Sequence, residues 1–512
     1  MQPPNTNRSN ILHLLEERGE PTHDNIRAVA RETGVPEADI WGVASFYHLV
    51  RSVPHRVCTG LSCQISGADE LLEELQADAI KNGIQTPEQV SCLGQCDKPI
   101  AQLDEHHEPI GPQPRSNVTP DNQELPINLG GIDNCQYLAL KKVMAEGPDF
   151  TMTELVASGL QGRGGAGFPA HIKWLAVKES DSQCKYLVCN ADEAEPGTFK
   201  DREVMIRRPH LLLEGLAIAA HTVGAMEIHI YVRGAFGQCR RSLEQALEEA
   251  SEHLSSFSFV FTSGHGAYIC GEETALLESI EGKRGMPRLK PPFPTDFGLY
   301  GQPTLIHNVE SLATIPSIVN RGGEWFKAQG NTGAGSKLYC ISGHVNLPGV
   351  YELPMGATLS DLLDAAGGEI GSLIAFSPGG ASSGLLPISY RDTPMDFKNL
   401  SAIGSMLGSA GVVVLNDTVD IASITLRQLE FFEAESCGQC APCRLGSRAL
   451  SQALQRYINS NKADDLDQVN DIAWEMEEGS ICGLGIAAPL PLTSAIKHFP
   501  DSFNGSTLVA NK

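Results

Sequence analysis

Three cysteines fall within one short stretch, SCGQCAPC, as Cys437, Cys440 and Cys443, and Cys482 follows much later in ICGLG. That spacing constrains the chain more than any other feature. Three tightly spaced thiolates plus one remote ligand is the usual way to hold a cubane [4Fe–4S] cluster. Gly438 and Gly483 let backbone amides approach the inorganic sulfides. A redox-active C-x-x-C pair is the alternative, and it leaves Cys443 and Cys482 without a role.

A second set sits near the other end. Cys58 and Cys63, then Cys92 and Cys96, form two close pairs in loops marked by Gly60, Gly67 and Gly94. Two pairs can grip one small cofactor, which suits four thiolates around a [2Fe–2S] rhomb. Structural zinc and four unrelated buried cysteines are the other readings of the same spacing. The chain holds 14 cysteines in all. The remaining six (Cys135, Cys184, Cys189, Cys239, Cys270 and Cys340) show no ligand spacing and are expected to be small buried hydrophobes.

A chain of 512 residues is too long for one core, so three or more domains are expected. Residues 10–50 carry apolar residues at helical spacing. Short apolar runs follow from Arg56 to Leu103, around a helix predicted at Ala68–Asp78. Residues 104–131 turn polar, with Pro109, Pro112, Pro114, Pro120 and Pro126, the signature of a linker. Beyond 150 the pattern alternates. Strands are predicted at Tyr186–Cys189, Ile228–Val232 and Phe257–Phe261, with helices at His210–His221 and Cys239–Leu254 between them, which points to a largely parallel sheet. Residues 336–415 read as a small α+β module with one helix at Leu359–Ala366, and the chain is helical beyond Ile421.

Gly162-Arg163-Gly164-Gly165-Ala166-Gly167 matches G-x-G-x-x-G, yet Met152–Leu160 before it reads as a helix rather than a strand. The dinucleotide-fold context therefore fails, while a loop nearly free of side chains can still press its amides against a phosphate or a ring. Asn190-Ala191-Asp192-Glu193-Ala194-Glu195-Pro196-Gly197 follows a predicted strand, at the carboxyl end where open α/β sheets bind ligands. Gly271-Glu272-Glu273 opens a helix at Thr274–Ile280, and Lys290-Pro291-Pro292-Phe293 holds a cation and a ring on stiff backbone.

Together, LVASGLQGRGGAGFPAHIKW, VCNADEAEPGTFKDR, GAYICGEETALLESIEGKRGMPRLKPPFP and ESCGQCAPCRLG resemble the NADH-binding flavoprotein subunit of respiratory complex I. The same module occurs in soluble NAD-dependent hydrogenases and formate dehydrogenases. The resemblance covers roughly residues 140–505, and residues 10–103 resemble the thioredoxin-like [2Fe–2S] subunit that accompanies it. It implies a multidomain α/β chain: a helical segment and thioredoxin-like [2Fe–2S] domain over 1–104, a linker over 105–135, and a Rossmann-like FMN and NADH domain over 136–330. A ubiquitin-like (SLBB) β-grasp module over 331–418 and a helical [4Fe–4S] domain over 419–512 complete it.

By the same resemblance, FMN would lie against Gly162, Arg163, Gly164, Lys173, Asn190, Asp192, Glu193, Gly271, Glu272, Glu273 and Asn308. NADH would stack near Phe168 and Phe293, with Glu195 and Lys290 on its ribose and phosphates. His307, also expected on the flavin side, stands where the family usually has asparagine, Ala176 where it often has an aromatic residue, and His265 precedes Gly266 where a glycine-alanine run is common. The iron ligands would be Cys58, Cys63, Cys92 and Cys96 for [2Fe–2S], and Cys437, Cys440, Cys443 and Cys482 for [4Fe–4S].

The expected activity is NADH dehydrogenation with electrons passed from FMN to the clusters. The partner would be the molybdenum or tungsten catalytic subunit of a formate dehydrogenase, with a [NiFe]-hydrogenase module second and complex I third. An electron-relay protein without nucleotide turnover is the rival reading. The net charge of −24 argues against nucleic acid. No apolar run is long enough for a bilayer and no signal pattern opens the chain, so a cytoplasmic hetero-oligomer without membrane insertion is expected.

Overall fold

A computed structural model describes residues 6–111 and 115–503, with side chains from residue 8. Pro112 and Pro114 of the predicted linker lie outside the described residues. The N-terminal helical pattern resolves into Ile11–Arg18, His23–Thr33 and Glu37–Ala44, which bury Ile11, Leu15, Ile26, Val29, Ile40 and Val43. Thr22 caps the second by accepting from Asn25 N, and Gly34 ends it at φ 72°. These helices pack on the middle of the chain: Arg284 Nε donates to Gly42 O at 2.9 Å and Tyr47 Oη to Lys283 O at 2.7 Å.

The first sheet has β1 (His55–Cys58) between β2 (Glu88–Val90), which is parallel to it, and β3 (Gln102–Asp104), which is antiparallel. Both cysteine pairs therefore sit at the carboxyl ends of two adjacent parallel strands, Cys58 as the last residue of β1 and Cys92 just after β2. The predicted helix at Ala68–Asp78 runs to Asn82.

The predicted linker is not a free tether. Within it β4 (Asn117–Val118) pairs with a later strand, Ile127 and Leu129 are buried, and the Ile127 and Asn128 amides donate to Glu352 at 3.0 and 2.7 Å. Its prolines limit sheet pairing to two residues, but the apolar anchors further on lay it down as a strap.

The middle sheet is wholly parallel. β5 (Tyr186–Ala191), β6 (Glu227–Arg233), β7 (Ser258–Gly264) and β8 (Thr304–Asn308) run in the spatial order β7-β6-β5-β8. Sequence pattern predicts the first three and misses β8, a five-residue run. The chain moves from β5 outward to β7, then returns to β8 on the far side of β5. That reversal makes the carboxyl ends of β5 and β8 the switch point where ligands of such sheets bind. Helices Pro209–Val223 and Val309–Arg321 cross closely behind the sheet, because a Cβ at Gly215 would lie 2.0 Å from Leu312 O.

The third sheet joins β9 (Ser336–Gly343), β10 (Gly349–Pro354), β11 (Leu373–Ser377), β12 (Leu386–Pro387) and β13 (Gly411–Asn416) in the order β12-β11-β13-β9-β10, and β4 closes its β10 edge. Helix Leu359–Ala365 crosses it behind a capping box made by Thr358 and Asp361. The C-terminal helices, Ile421–Glu435, Ala441–Ser460, Val469–Gly479 and Leu490–His498, form a bundle in which Gly446 lets Met476 approach. Among the described residues no helix is long and apolar enough to cross a membrane.

Candidate active site

A cleft of about 370 Å³ opens at the β5/β8 switch point. The glycine run supplies one wall through Gly164, Gly165 and Ala166. The helix before it, Pro148–Ser158, agrees with the sequence reading, so the loop begins on a helix and not a strand. A Cβ at Gly164 would lie 3.2 Å from Asn308 Cβ, so glycine is what permits this approach. Gly162 N donates to Phe168 O at 2.8 Å, which closes the loop at its base.

Arg163 departs from expectation. Its side chain is buried and turns away from the cleft, donating to Ala334 O at 2.7 Å and to Ser336 O at 3.0 Å. A guanidinium with five donors here satisfies carbonyls at the start of the third sheet. Only its backbone, with N donating to Ser311 Oγ at 2.8 Å, shapes the loop.

The strand-end residues divide by task. Asn190 Nδ2 donates to Gly271 O at 2.8 Å, tying the two walls together. Asp192 is buried, its Oδ2 has no partner, and burial, reinforced by Glu435 and opposed by Arg233, pushes its carboxyl up to about 7. Glu193 instead accepts from Asp201 N and Arg202 N at 2.9 and 3.0 Å, holding the first turn of helix Lys200–Arg207. Glu195 takes the Ser382 amide at 2.9 Å and the Tyr268 hydroxyl at 2.5 Å, which joins the middle sheet to the third-sheet module.

On the opposite wall Glu272 caps helix Glu273–Ile280, accepting from Thr274 N and Ala275 N. Glu273 pairs with Lys173 at 2.6 Å and Lys290 at 2.8 Å. Burial raises its carboxyl, but the two ammonium groups outweigh that and bring it to about 2. Lys290 also pairs with Glu272 at 2.8 Å. Phe168 and Phe293 are 46% and 50% exposed and stack on no other ring among the described residues. Two large aromatic faces left in solvent are surfaces a planar ligand can cover.

Asn308 lines the cleft and caps helix Val309–Arg321, accepting from Ser311 N at 3.1 Å. Its neighbour His307 points the other way, as β alternation requires. Trp174 Nε1 donates to His307 Nε2 at 3.0 Å, and burial with the nearby Lys173 holds the imidazole neutral, at about 3. Its expected flavin contact is thus not among the cleft walls.

Sequence reasoning missed residues that reach the cleft from distant segments. Lys200 and Asp201, the latter holding Glu310 N at 3.1 Å, lie at its floor. Ser382, Gly408 and Ser409 close it from the third-sheet module, and Gly483 with Leu484 bring it to the residue after Cys482. The FKDR stretch carried a signal for Lys200 in its run of charges; the glycine-rich turns at 379–409 carried none.

Among the described residues no disulfide joins the cysteines. Cys58, Cys63, Cys92 and Cys96 are buried together. The Cys92 and Cys96 sulfurs are 3.8 Å apart, and Cys58 lies within hydrogen-bonding reach of Cys63 and Cys92. Gly94 N donates to Cys92 Sγ at 3.4 Å and Gly197 N to Cys96 Sγ at 3.3 Å. Four buried sulfurs, two of them met by amide donors, are a donor set that could hold an iron–sulfur cluster. Cys440 and Cys482 precede the first residues of helices Ala441–Ser460 and Gly483–Ala487, and a Cβ at Gly485 would meet Cys443 Cβ at 2.9 Å. Of the six cysteines expected to be buried, four are; Cys135 and Cys184 are exposed, since both sit in surface loops before helix or strand.

Comparison with known proteins gives four matching family models. They are a Nuo51 FMN-binding domain over residues 155–317, an NADH-ubiquinone oxidoreductase-F iron-sulfur binding region over 423–506, a thioredoxin-like [2Fe-2S] ferredoxin over 5–116 and an SLBB domain over 338–374. An F subunit of the NADH-quinone oxidoreductase of Rhizobium meliloti (strain 1021) is 47% identical over 383 residues, 72% of this chain and 91% of that protein. The corresponding F subunit of Rickettsia typhi (strain ATCC VR-144 / Wilmington) is 46% identical over 377 residues, 70% of this chain and 90% of that one. Among solved structures, a chain of an NAD+-reducing [NiFe]-hydrogenase in the H2-reduced state superposes with a TM-score of 0.89 at 28% identity. The superposition covers 98% of this chain and 93% of that one.

Proposed function

Because the chain belongs to the family of NADH-quinone oxidoreductase F subunits, with a thioredoxin-like [2Fe–2S] domain joined to it, we propose that it is the NADH-oxidising module of a larger assembly that passes electrons to a catalytic partner. Its cofactors are FMN, NAD(H), a [2Fe–2S] and a [4Fe–4S] cluster. The observation that carries the reading is the cleft itself, which runs from the glycine loop at the β5/β8 switch point to the residue after Cys482.

Bound FMN supplies the conversion of a hydride pair into single electrons, and the clusters supply their conduction. The chain's own residues bind and orient. Gly162 and Gly164 clear space for the ring system, and the free Asp192 Oδ2 is an acceptor for a ribityl hydroxyl. Asn190 and Gly271 fix the two walls, and Glu272 and Glu273 set the helix behind them. Lys173 and Lys290 carry the charge that phosphates need, with Asn308 closing the phosphate end. Phe168 and Phe293 offer their faces to the nicotinamide nucleotide, and Glu195 accepts from ribose hydroxyls and repels a 2′-phosphate, so NADH is preferred over NADPH. Glu193 acts by holding helix Lys200–Arg207, and Arg163 and His307 act from behind the cleft wall. Cys58, Cys63, Cys92 and Cys96 hold the smaller cluster; Cys437, Cys440, Cys443 and Cys482 hold the larger. The modules divide at residues 104, 135, 330 and 418.

The partner is the molybdenum or tungsten catalytic subunit of a cytoplasmic formate dehydrogenase, a reading supported by the fusion of the two modules in one chain. A hydrogenase module is the second reading, and the whole-chain likeness to the NAD+-reducing [NiFe]-hydrogenase favours it. Anaerobic addition of NADH to the purified chain should bleach the flavin and raise both cluster signals in EPR. Reduction by dithionite alone would leave the chain an electron relay. Affinity capture of the assembly, followed by NAD+ reduction with formate or with H2, separates the two partners.

A further inference from the structure

Behind the flavin cleft lies a second cavity, of about 410 Å³, where the first sheet, the middle sheet, the third-sheet module and helix Ile421–Glu435 meet. Asp192, Ala194 and Tyr268 line both spaces, and Cys92 lines the second. Arg56, on β1, is fully buried in its wall. One of its terminal nitrogens, Nη2, donates to Arg51 O at 2.5 Å, while Nε and Nη1 have no partner.

Of the carboxylates on this wall, Asp192 keeps a free Oδ2, the acceptor assigned above to the flavin side, and the others are engaged. Glu88 pairs with Arg51 at 3.3 Å and Glu430 with Arg427 at 3.2 Å, and Glu435 accepts from Ser91 Oγ and Tyr268 N. Arg427 Nε is unpartnered, and Gln428, 3% exposed, has neither amide atom satisfied. A buried guanidinium paired only with carbonyls needs a counter-charge, and water alone does not supply one. The cavity thus presents several free N–H donors and a guanidinium that makes no ion pair, with Glu88 and Glu20 acting on it only at longer range, in a space large enough for a small molecule.

We propose that this cavity binds a small oxyanion of the phosphate class, held by Arg56 with Gln428 and Arg427 Nε, beside the [2Fe–2S] cysteine Cys92. An anion at that place opposes the extra negative charge of the reduced cluster, so it binds the oxidised form more tightly and lowers the midpoint potential. The site rests on the [2Fe–2S] reading only for its read-out.

The test is a redox titration of the cluster-loaded full chain followed by EPR, in inorganic phosphate and in chloride of equal ionic strength. Phosphate should lower the [2Fe–2S] midpoint saturably and leave the [4Fe–4S] midpoint in place. Tenfold tighter binding to the oxidised form corresponds to about 59 mV. Arg56→Gln and, with the cation kept, Gln428→Leu should weaken the response at least tenfold in phosphate concentration. Equilibrium dialysis with labelled phosphate reads the same site without the cluster, so a missing [2Fe–2S] signal would overturn the cluster reading and leave this one standing. No binding in dialysis, an equal effect of chloride, or an unchanged response in Gln428→Leu would each overturn the oxyanion site.

Discussion

Under the cleft floor, Lys337 Nζ meets Glu310 Oε2 at 2.6 Å, with both side chains essentially unexposed. Lys200 approaches the same carboxylate at 3.1 Å and also holds Asp201 at 2.8 Å. Consider Glu310→Gln. The glutamine still accepts from Leu338 N, a contact Glu310 makes at 2.9 Å. Lys200 keeps Asp201, but Lys337 is left with the Leu338 carbonyl alone, at 3.0 Å. Breaking a buried pair by removing one partner costs about 3–5 kcal/mol, because the remaining charge stays desolvated. At roughly 2–4 °C per kcal/mol for a domain of this size, the unfolding midpoint should fall on the order of 10 °C. Asp201 and Asn308 stand on the same network, so flavin should be released over the same interval. Circular dichroism and flavin fluorescence along one thermal ramp measure both. The double variant Glu310→Gln/Lys337→Met removes the stranded charge and should recover at least half of the loss. A single variant within about 1 kcal/mol of the parent, or a double variant no better than the single, would refute the argument that Lys337 depends on Glu310.

Three further outcomes follow from the same geometry. Cys482→Ser should abolish the [4Fe–4S] signal and about half or more of the bound iron while leaving the [2Fe–2S] signal and the flavin, as iron analysis and EPR will show. Gly164→Ala forces a Cβ to within 3.2 Å of Asn308 and should raise the flavin dissociation constant roughly tenfold, measured by fluorescence titration of the deflavinated chain. His307 is held neutral in the fold, at about 3 against an ordinary 6.5. Its contribution is therefore complete above pH 6.5 and is lost as pH falls from 6.5 toward 3, at about 1.4 kcal/mol per unit. His307→Asn should flatten that part of the stability–pH curve; an unchanged slope in chemical denaturation would remove the assignment.

The sequence exposes what short-range spacing encodes. The two cysteine sets, the helices at Pro209–Val223 and Ala68–Asn82, and three of the four parallel strands are legible because thiol spacing and apolar periodicity are local. β8 escapes because five residues give too little pattern. Asp192 and Glu195 are visible as acidic groups at a strand end, but their different fates depend on Tyr268 and Ser382, remote in the chain. Arg163 misleads for a similar reason: it stands inside a glycine run, yet the carbonyls at Ala334 and Ser336 are the partners its guanidinium finds. Long-range contacts decide such roles, and a single sequence does not display them.

The strap between the first and middle sheets alters how the two cluster-bearing parts stay together. Two separate chains meeting through a surface of this kind dissociate on dilution, and their pairing depends on the concentration of each. With Asn117–Val118 paired to β10 and Ile127 and Leu129 buried, the chain path between the parts is short and pinned. The smaller cluster unit then faces its site at an effective concentration in the millimolar range or above, whatever the amount of protein present. Its docking surface can be modest and polar and still be fully occupied, and the two units are always supplied one to one.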